Sequence, residues 1–211
     1  MTSPAEPWTG PDTGALFVVT GASGTGKTTL VKAALQAIPS IGWSVSATTR
    51  GPRVGEVDGK DYHFVDHARF DQMVQHGELL EWAAVYGNRY GTPRAPVVDR
   101  LQAGESVLLE IDRAGARQVK AAMPGAVLIF VLPPAPEVIE ARLRARSTDS
   151  EAVIQRRVAE AADQLGGCGE FDYLVVNDVL EHANVRFQGV LWAELQRRER
   201  NRGLVRRFGG V

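Results

Sequence analysis

The stretch GASGTGKTT, residues 21–29, constrains the fold more than any other part of this chain. Gly21, Gly26, Lys27 and Thr28 fill every fixed position of the pattern G-x-x-x-x-G-K-[ST]. Before it stands the apolar run ALFVVT, residues 15–20. After it, Leu30, Val31, Ala34, Leu35 and Ile38 recur at helical spacing until Pro39 stops them. Strand, glycine-rich loop and helix thus follow in the order that a phosphate-binding loop requires. The glycines let the backbone wrap closely and aim N–H groups at phosphate oxygens, and the helix N-terminus adds its dipole. Gly21, Ala22, Ser23, Gly24, Thr25, Gly26, Lys27, Thr28 and Thr29 are therefore assigned to a nucleoside triphosphate. Lys27 neutralises charge on the transferring phosphoryl group, and Thr28 is a ligand for Mg²⁺.

Strands and helices alternate through the remainder. WSVSATTR, residues 43–50, reads as a strand with Val45 and Ala47 on one face. Residues 51–92 change character, with a turn at Asp58-Gly59, a short Tyr/His/Phe strand, and Asp66 placed to cap a helix carrying Phe70, Met73 and Val74. This region reads as an insertion of small strands and one helix. A helix after Pro93 ends near Gly104, and the apolar SVLLEI, 106–111, suits a central parallel strand. A helix over 114–123, the strand AVLIFVL over 126–132 and a helix from Pro136 to about Arg146 follow. Thr148 and Glu151 form a capping box for a helix burying Val153, Ile154, Val158 and Leu165. YLVV, 173–176, is a last strand, before a helix with Val185, Val190, Leu191 and Leu195. The pattern predicts an α/β fold with a mostly parallel central sheet flanked by helices.

Composition removes several alternatives. The 24 basic and 25 acidic residues nearly cancel, so bulk charge gives no reason to expect a nucleic-acid partner. One cysteine, Cys168, leaves no intramolecular disulfide and no cysteine-based zinc cluster, and the four histidines lack ligand spacing. No apolar run approaches membrane-spanning length, and the Pro- and Gly-rich start carries no basic apolar leader, so a cytoplasmic location is expected. Residues 196–211 hold six arginines and one glutamate, read as a solvated helix end and frayed terminus. Nothing in the sequence sets the oligomeric state.

Asp112 ends an apolar strand, where a carboxylate reaches bound Mg²⁺ or its waters; it also suits the cap of the next helix. Asp112-Arg113-Ala114-Gly115 matches the D-x-x-G of a GTP switch, but no N-K-x-D strand end accompanies it. Arg142, Arg144 and Arg146, with Arg156 and Arg157 beyond the polar turn, suit a helical lid that folds guanidinium groups over a triphosphate. Arg50 and Arg53, followed by Tyr62, suit a second phosphate. Glu81 follows Leu79-Leu80, and a buried anion there needs a partner. Guanine offers one, since N1–H and the 2-amino group are parallel donors to a single carboxylate.

With these residues in place, the chain resembles the bacterial guanylate kinases over about 15–200. The block TTR-x-PR-x-GE-x-DGK-x-Y-x-F, together with ELLEWAAVYGNRYGTPR, VLLEIDRAGARQVK and FDYLVVND, carries the resemblance. It implies a P-loop kinase fold and transfer of the ATP γ-phosphate to GMP, and also dGMP, with Mg²⁺. Arg50, Arg53, Tyr62 and Tyr90 are then expected at the GMP phosphate, and Ser46, Glu81 and Thr92 at guanine. Glu110 and Asp112 are expected on the GMP side, Asp112 also near the metal, and Asn177 near adenine. Lys27, Arg50, Arg142, Arg146 and Arg157 are the expected catalytic cations. The implied division is a tail over 1–14, core over 15–48, an acceptor region over 49–92, core over 93–142, a lid over 143–160, core over 161–200 and a basic tail over 201–211. Departures from the family pattern are Glu110 for aspartate, Arg89 for tyrosine, and Arg113-Ala114 for an aromatic-glutamine pair. A kinase for another nucleoside monophosphate or a sugar phosphate is the alternative, and a non-catalytic interaction module is more remote, since its phosphate loop would be damaged.

Overall fold

The computed structural model describes residues 10–85, 87–144 and 151–210. The chain begins with β1 (Leu16–Thr20) and α1 (Lys27–Ala37), then β2 (Ile41–Trp43), β3 (Ala47–Thr48) and β4 (His63–Phe64). Next come α2 (His67–Gln75), the pair β5 (Leu79–Val85) and β6 (Asn88–Pro93), and α3 (Arg94–Gln102). The second half runs through β7 (Ser106–Glu110), α4 (Arg113–Ala122), β8 (Val127–Leu132), α5 (Val138–Arg144) and α6 (Glu151–Gly166). It closes with β9 (Tyr173–Val176), α7 (Leu180–Leu195) and α8 (Arg202–Arg207).

The central sheet has the order β2-β7-β1-β8-β9, and each neighbouring pair is parallel. Its strands are buried on both faces, which is why β1 is apolar without alternation. Phe17, Val19, Ile129 and Val131 face α1 and α7, where they meet Leu30, Val31, Phe187 and Leu191. Leu16, Val18, Leu109 and Leu128 face α3 and α4, against Val97, Leu101, Ala116 and Val119. A second, smaller sheet has the order β4-β3-β6-β5, with β5 and β6 antiparallel. Helix α2 covers it through Phe70 and Met73, packed on Ala47 and Leu79. The Asp66 side chain caps α2 by accepting from the Arg69 amide at 2.7 Å, as expected. Leu80 on β5 points the other way and joins the α3–α4 side of the main core.

Three expectations change. The strand predicted over 43–50 is two strands in different sheets: Trp43 ends β2, and Ala47 opens β3. The chain crosses between sheets at 44–46, with Ser44 buried, so the apparent alternation of Val45 and Ala47 spans a crossing. On α7, Val185 is 72% exposed; the buried stripe runs through Ala183, Phe187, Leu191 and Leu195 at four-residue steps. The arginine-rich terminus is docked rather than frayed over its described part. Arg200 donates from Nη1 to the Gly14 carbonyl at 3.1 Å, and its own carbonyl accepts from the Asp12 amide at 2.8 Å. The buried Glu194 carboxylate supplies the reason: Tyr173 Oη (2.5 Å) and Arg197 Nε (2.8 Å) reach it, and Arg200 stands at 3.8 Å. The turn with Arg146 and Thr148 lies outside the described residues. Among the described residues, no helix is long and apolar enough to cross a membrane.

Candidate active site

The glycine-rich loop leaves β1 at Thr20 and enters α1 at Lys27, so the unpaired N–H groups of the first helical turn face the cleft. Gly26 caps α1 in the left-handed region at φ 85°, and a Cβ there would lie 2.3 Å from the Asn177 side-chain amide. Both conditions demand glycine. Asn177 donates from Nδ2 to the Thr25 carbonyl at 2.7 Å, and its own carbonyl accepts from Arg142 Nη2 at 2.9 Å. The end of β9 thereby links the loop to α5. Thr25 Oγ1 donates to the Ala22 carbonyl at 2.9 Å, and Lys27 Nζ donates to the carbonyls of Gly21 (2.5 Å) and Ala22 (3.1 Å). The ammonium is thus held at the loop rim.

The loop forms one wall of a cleft of about 440 Å³ that also contains Ser23, Gly24, Thr29, Glu110 and Asp112. Thr28 Oγ1 donates to Glu110 Oε1 at 2.8 Å, so Glu110 lies on the phosphate-loop side of the cleft. Asp112 performs the capping role considered for it: one oxygen accepts from the Gly115 amide at 2.7 Å, at the start of α4. Arg113 and Gln164 complete the wall. A hydroxyl beside two carboxylates is a set of hard oxygen donors, the type Mg²⁺ takes together with phosphate oxygens and water. A larger hollow of about 810 Å³ lies under the C-terminal segment, at the opposite ends of the strands. It holds the paired Glu194 cluster and none of the loop chemistry.

The small sheet gathers a second polar cluster. Arg50 makes a two-pronged pair with Glu56, at 2.9 and 2.8 Å, and its guanidinium lies 5.3 Å from the centre of the Tyr62 ring. Tyr62 meets Tyr90 edge-on at 6.0 Å. The Glu56 pair and Tyr90 hold the Arg50 pKa above its ordinary value, and the same pair lowers that of Glu56. The Arg53 side chain is exposed, while its amide donates to Glu56 at 2.7 Å. Ser46 is half-buried, and its carbonyl accepts from the His63 amide at 2.9 Å. Glu81 is 6% exposed and accepts from Thr92 Oγ1 at 2.7 Å. A Cβ on Gly115 would lie 2.8 Å from Glu81 Oε2, so the second oxygen faces the start of α4. Burial raises the Glu81 pKa and the nearby Asp112 charge adds to this, against the opposing Thr92 hydrogen bond. A register shift between Leu79 and Glu81 marks a β-bulge, the usual device for re-aiming a side chain beside a site.

Arg142 is placed as described, Arg157 is half-buried on α6, and Arg146 lies outside the described residues. Arg144 clasps α5 to α6: it reaches Glu151 at 2.6 Å and Glu140 at 2.8 Å, and the pairing takes the Glu151 pKa down to about 2. Glu56, Arg113 and Gln164 were not anticipated as part of the site. Glu56 could have been found from its place inside the same arginine-rich block. Gln164 carries no sequence signal, because its position depends on where α6 ends.

Comparison with known proteins gives the family. The family model described as guanylate kinase matches residues 13–194. A guanylate kinase of Carboxydothermus hydrogenoformans is 46% identical over 198 residues, covering 94% of this chain and 97% of that protein. One from Parasynechococcus marenigrum is 53% identical over 178 residues, covering 84% and 98%. The crystal structure of guanylate kinase from Anaplasma phagocytophilum superposes with a TM-score of 0.71 at 33% identity, over 93% of this chain and 96% of that one. With the phosphate loop, the carboxylate-bearing strand end and the Arg50–Thr92 cluster on one frame, the chain belongs to the guanylate kinase family.

Proposed function

We propose that this protein transfers the γ-phosphate of ATP to GMP, giving ADP and GDP, and that it accepts dGMP as well. The observation that carries the acceptor is Glu81, a buried carboxylate with one oxygen bonded to Thr92 and the other aimed toward α4. Guanine N1–H and the 2-amino group fit that carboxylate, with Thr92 and Ser46 at the base edge; adenine has no such donor pair. Arg50, Arg53, Tyr62 and Tyr90 hold the GMP phosphate, with Glu56 presetting the Arg50 guanidinium in the meantime. The phosphate loop holds ATP, and Asn177 lies toward the adenine.

Thr28, with Glu110 and Asp112 acting directly or through water, would hold Mg²⁺, which supplies charge neutralisation on the phosphates. The chain's own part is to orient and to neutralise. Lys27 leaves the Gly21 and Ala22 carbonyls for the transferring phosphoryl group, joined by Arg142 at the end of the core and by Arg146 and Arg157 of a lid spanning 143–160. No protein base is required, because the acceptor is already a phosphate oxygen anion at neutral pH. Positioning two anionic substrates in a dry cleft carries most of the rate. The region 49–92 serves as the acceptor unit on the core.

The test is ADP release from Mg²⁺-ATP with GMP, dGMP, AMP, CMP or UMP. Strong preference for the two guanine nucleotides is expected. Turnover with AMP equal to that with GMP defeats the assignment.

A further inference from the structure

The far end of the β5–β6 hairpin has little apolar cover, since Ala84 and Val85 on β5 are both exposed. Packing on the core therefore does not fix that end of β6. Arg89, on β6, supplies the missing attachment. Its guanidinium lies 4.8 Å from the centre of the buried Phe70 ring. From there it reaches two groups of α2: Nη1 pairs with Asp71 at 2.5 Å, and Nη2 donates to the His67 carbonyl at 3.0 Å. A guanidinium fork serves both acceptors while its face rests on the ring. The tyrosine of the family pattern has one hydroxyl and no charge to offer them.

The backbone of the same residue meets the strand end that carries Arg50. The Arg89 amide donates to Thr49 Oγ1 at 2.9 Å, and its carbonyl accepts from the Thr49 amide at 3.0 Å and from Thr48 Oγ1 at 2.9 Å. Thr48 Oγ1 in turn accepts from the Arg50 amide at 3.1 Å. A single hydroxyl thus separates Arg89 from Arg50, and Tyr90 follows Arg89 directly along β6. Side chains alternate along a strand, so Arg89 turns to Phe70 and α2 while Tyr90 turns to Tyr62 on the other face. We propose that Arg89 is a positioning residue for the GMP phosphate. By fastening β6 to α2 it sets where Arg50 and Tyr90 stand, without touching the nucleotide. The inference rests on the GMP reading above and extends it to a residue outside the cleft.

The test is steady-state kinetics with GMP varied, together with inhibition by guanosine, which presents the base and sugar without the phosphate. In Arg89→Ala the KM for GMP should rise at least about 10-fold, the loss of one hydrogen bond to a charged group. Inhibition by guanosine and the KM for ATP stay unchanged. Asp71→Ala keeps the arginine but removes its carboxylate anchor. The Asp71 side chain is 57% exposed, so this variant folds and decides the matter if Arg89→Ala does not. Its KM for GMP should rise roughly 2- to 5-fold, the range of an exposed ion pair. The direction of that change is diagnostic. If Arg89 acted through its charge, or as a direct ligand, removing the competing carboxylate would lower the KM for GMP. A lower or unchanged KM in Asp71→Ala therefore overturns the proposal. So does an unchanged KM in Arg89→Ala, or an equal loss of guanosine inhibition, which would mean that the whole acceptor unit is disturbed. Failure of the kinase reading would appear separately, as lack of GMP-dependent ADP release by the natural protein.

Discussion

Thr92 Oγ1 and Glu81 Oε1 are joined by a 2.7 Å hydrogen bond across the β5–β6 hairpin, in a place where both residues are buried. The threonine uses one lone pair of one carboxylate oxygen, and that oxygen's second lone pair and the other oxygen remain as two acceptors for a ligand. Replacing Glu81 by Gln keeps the shape but leaves one acceptor where the guanine edge needs two. Loss of a hydrogen bond to a charged group costs about 1.5–3 kcal/mol, so the KM for GMP should rise roughly 10- to 150-fold, with kcat less affected. Steady-state kinetics with GMP varied are the check, and an unchanged KM removes Glu81 from base reading.

The same burial predicts a pH effect. Glu81 has a raised pKa in the folded chain, chiefly through desolvation and then through the Asp112 charge. Its ionised form is disfavoured on folding, so this group costs stability as pH rises from its unfolded pKa through the folded one. Guanine requires that ionised form. GMP affinity should therefore weaken as pH falls through the raised value, beginning above the ordinary glutamate range. GMP titrations from pH 8 to 4.5 test this; the GMP phosphate also changes charge at about pH 6, so the Glu81 step is the part of the dependence that disappears in Glu81→Gln.

Lys27→Ala removes the ammonium now held by the Gly21 and Ala22 carbonyls. By comparison with removal of one preorganised donor to a developing charge, kcat should fall by about 10²–10³-fold or more. Single-turnover ADP formation separates this from weaker ATP binding. Preserved turnover contradicts the phosphate-loop mechanism.

The alternation of strands and helices, the phosphate loop and the Asp66 cap were legible because each rests on local chemistry: apolar runs, a fixed glycine spacing, a carboxylate before a helix. The cluster of Arg50, Tyr62, Glu81, Tyr90 and Thr92 came from motif resemblance, and pairing β3 with β6 and β5 with β6 brings it into one small sheet. What escaped was set by distant parts of the chain. Trp43 and Ala47 sit in different sheets because of a crossing that leaves no local mark. Arg200 finds its place only through Glu194 and Gly14, far away in sequence.

Glu110 stands where the family commonly has aspartate, and its carboxylate reaches Thr28 at 2.8 Å. Shortening it to Asp removes one methylene, about 1.5 Å of reach, and breaks that bond. Because Thr28 belongs to the phosphate loop, kcat/KM for ATP should drop by about 10- to 100-fold, the cost of an ångström-scale misplacement. The KM for GMP should change little. A change confined to GMP would place Glu110 on the acceptor side instead.

The two sheets share no strand: the chain leaves the central one at 44–46 and returns to the core after Pro93. Each is a separate backbone ladder, so opening the small one breaks no hydrogen bond of the large one. Native-state amide exchange should accordingly fall into two cooperative classes, with β3 to β6 exchanging through a partial opening of lower free energy and β1, β7 and β8 only on global unfolding. Leu80, seated in the main core, sets how far apart those two free energies lie.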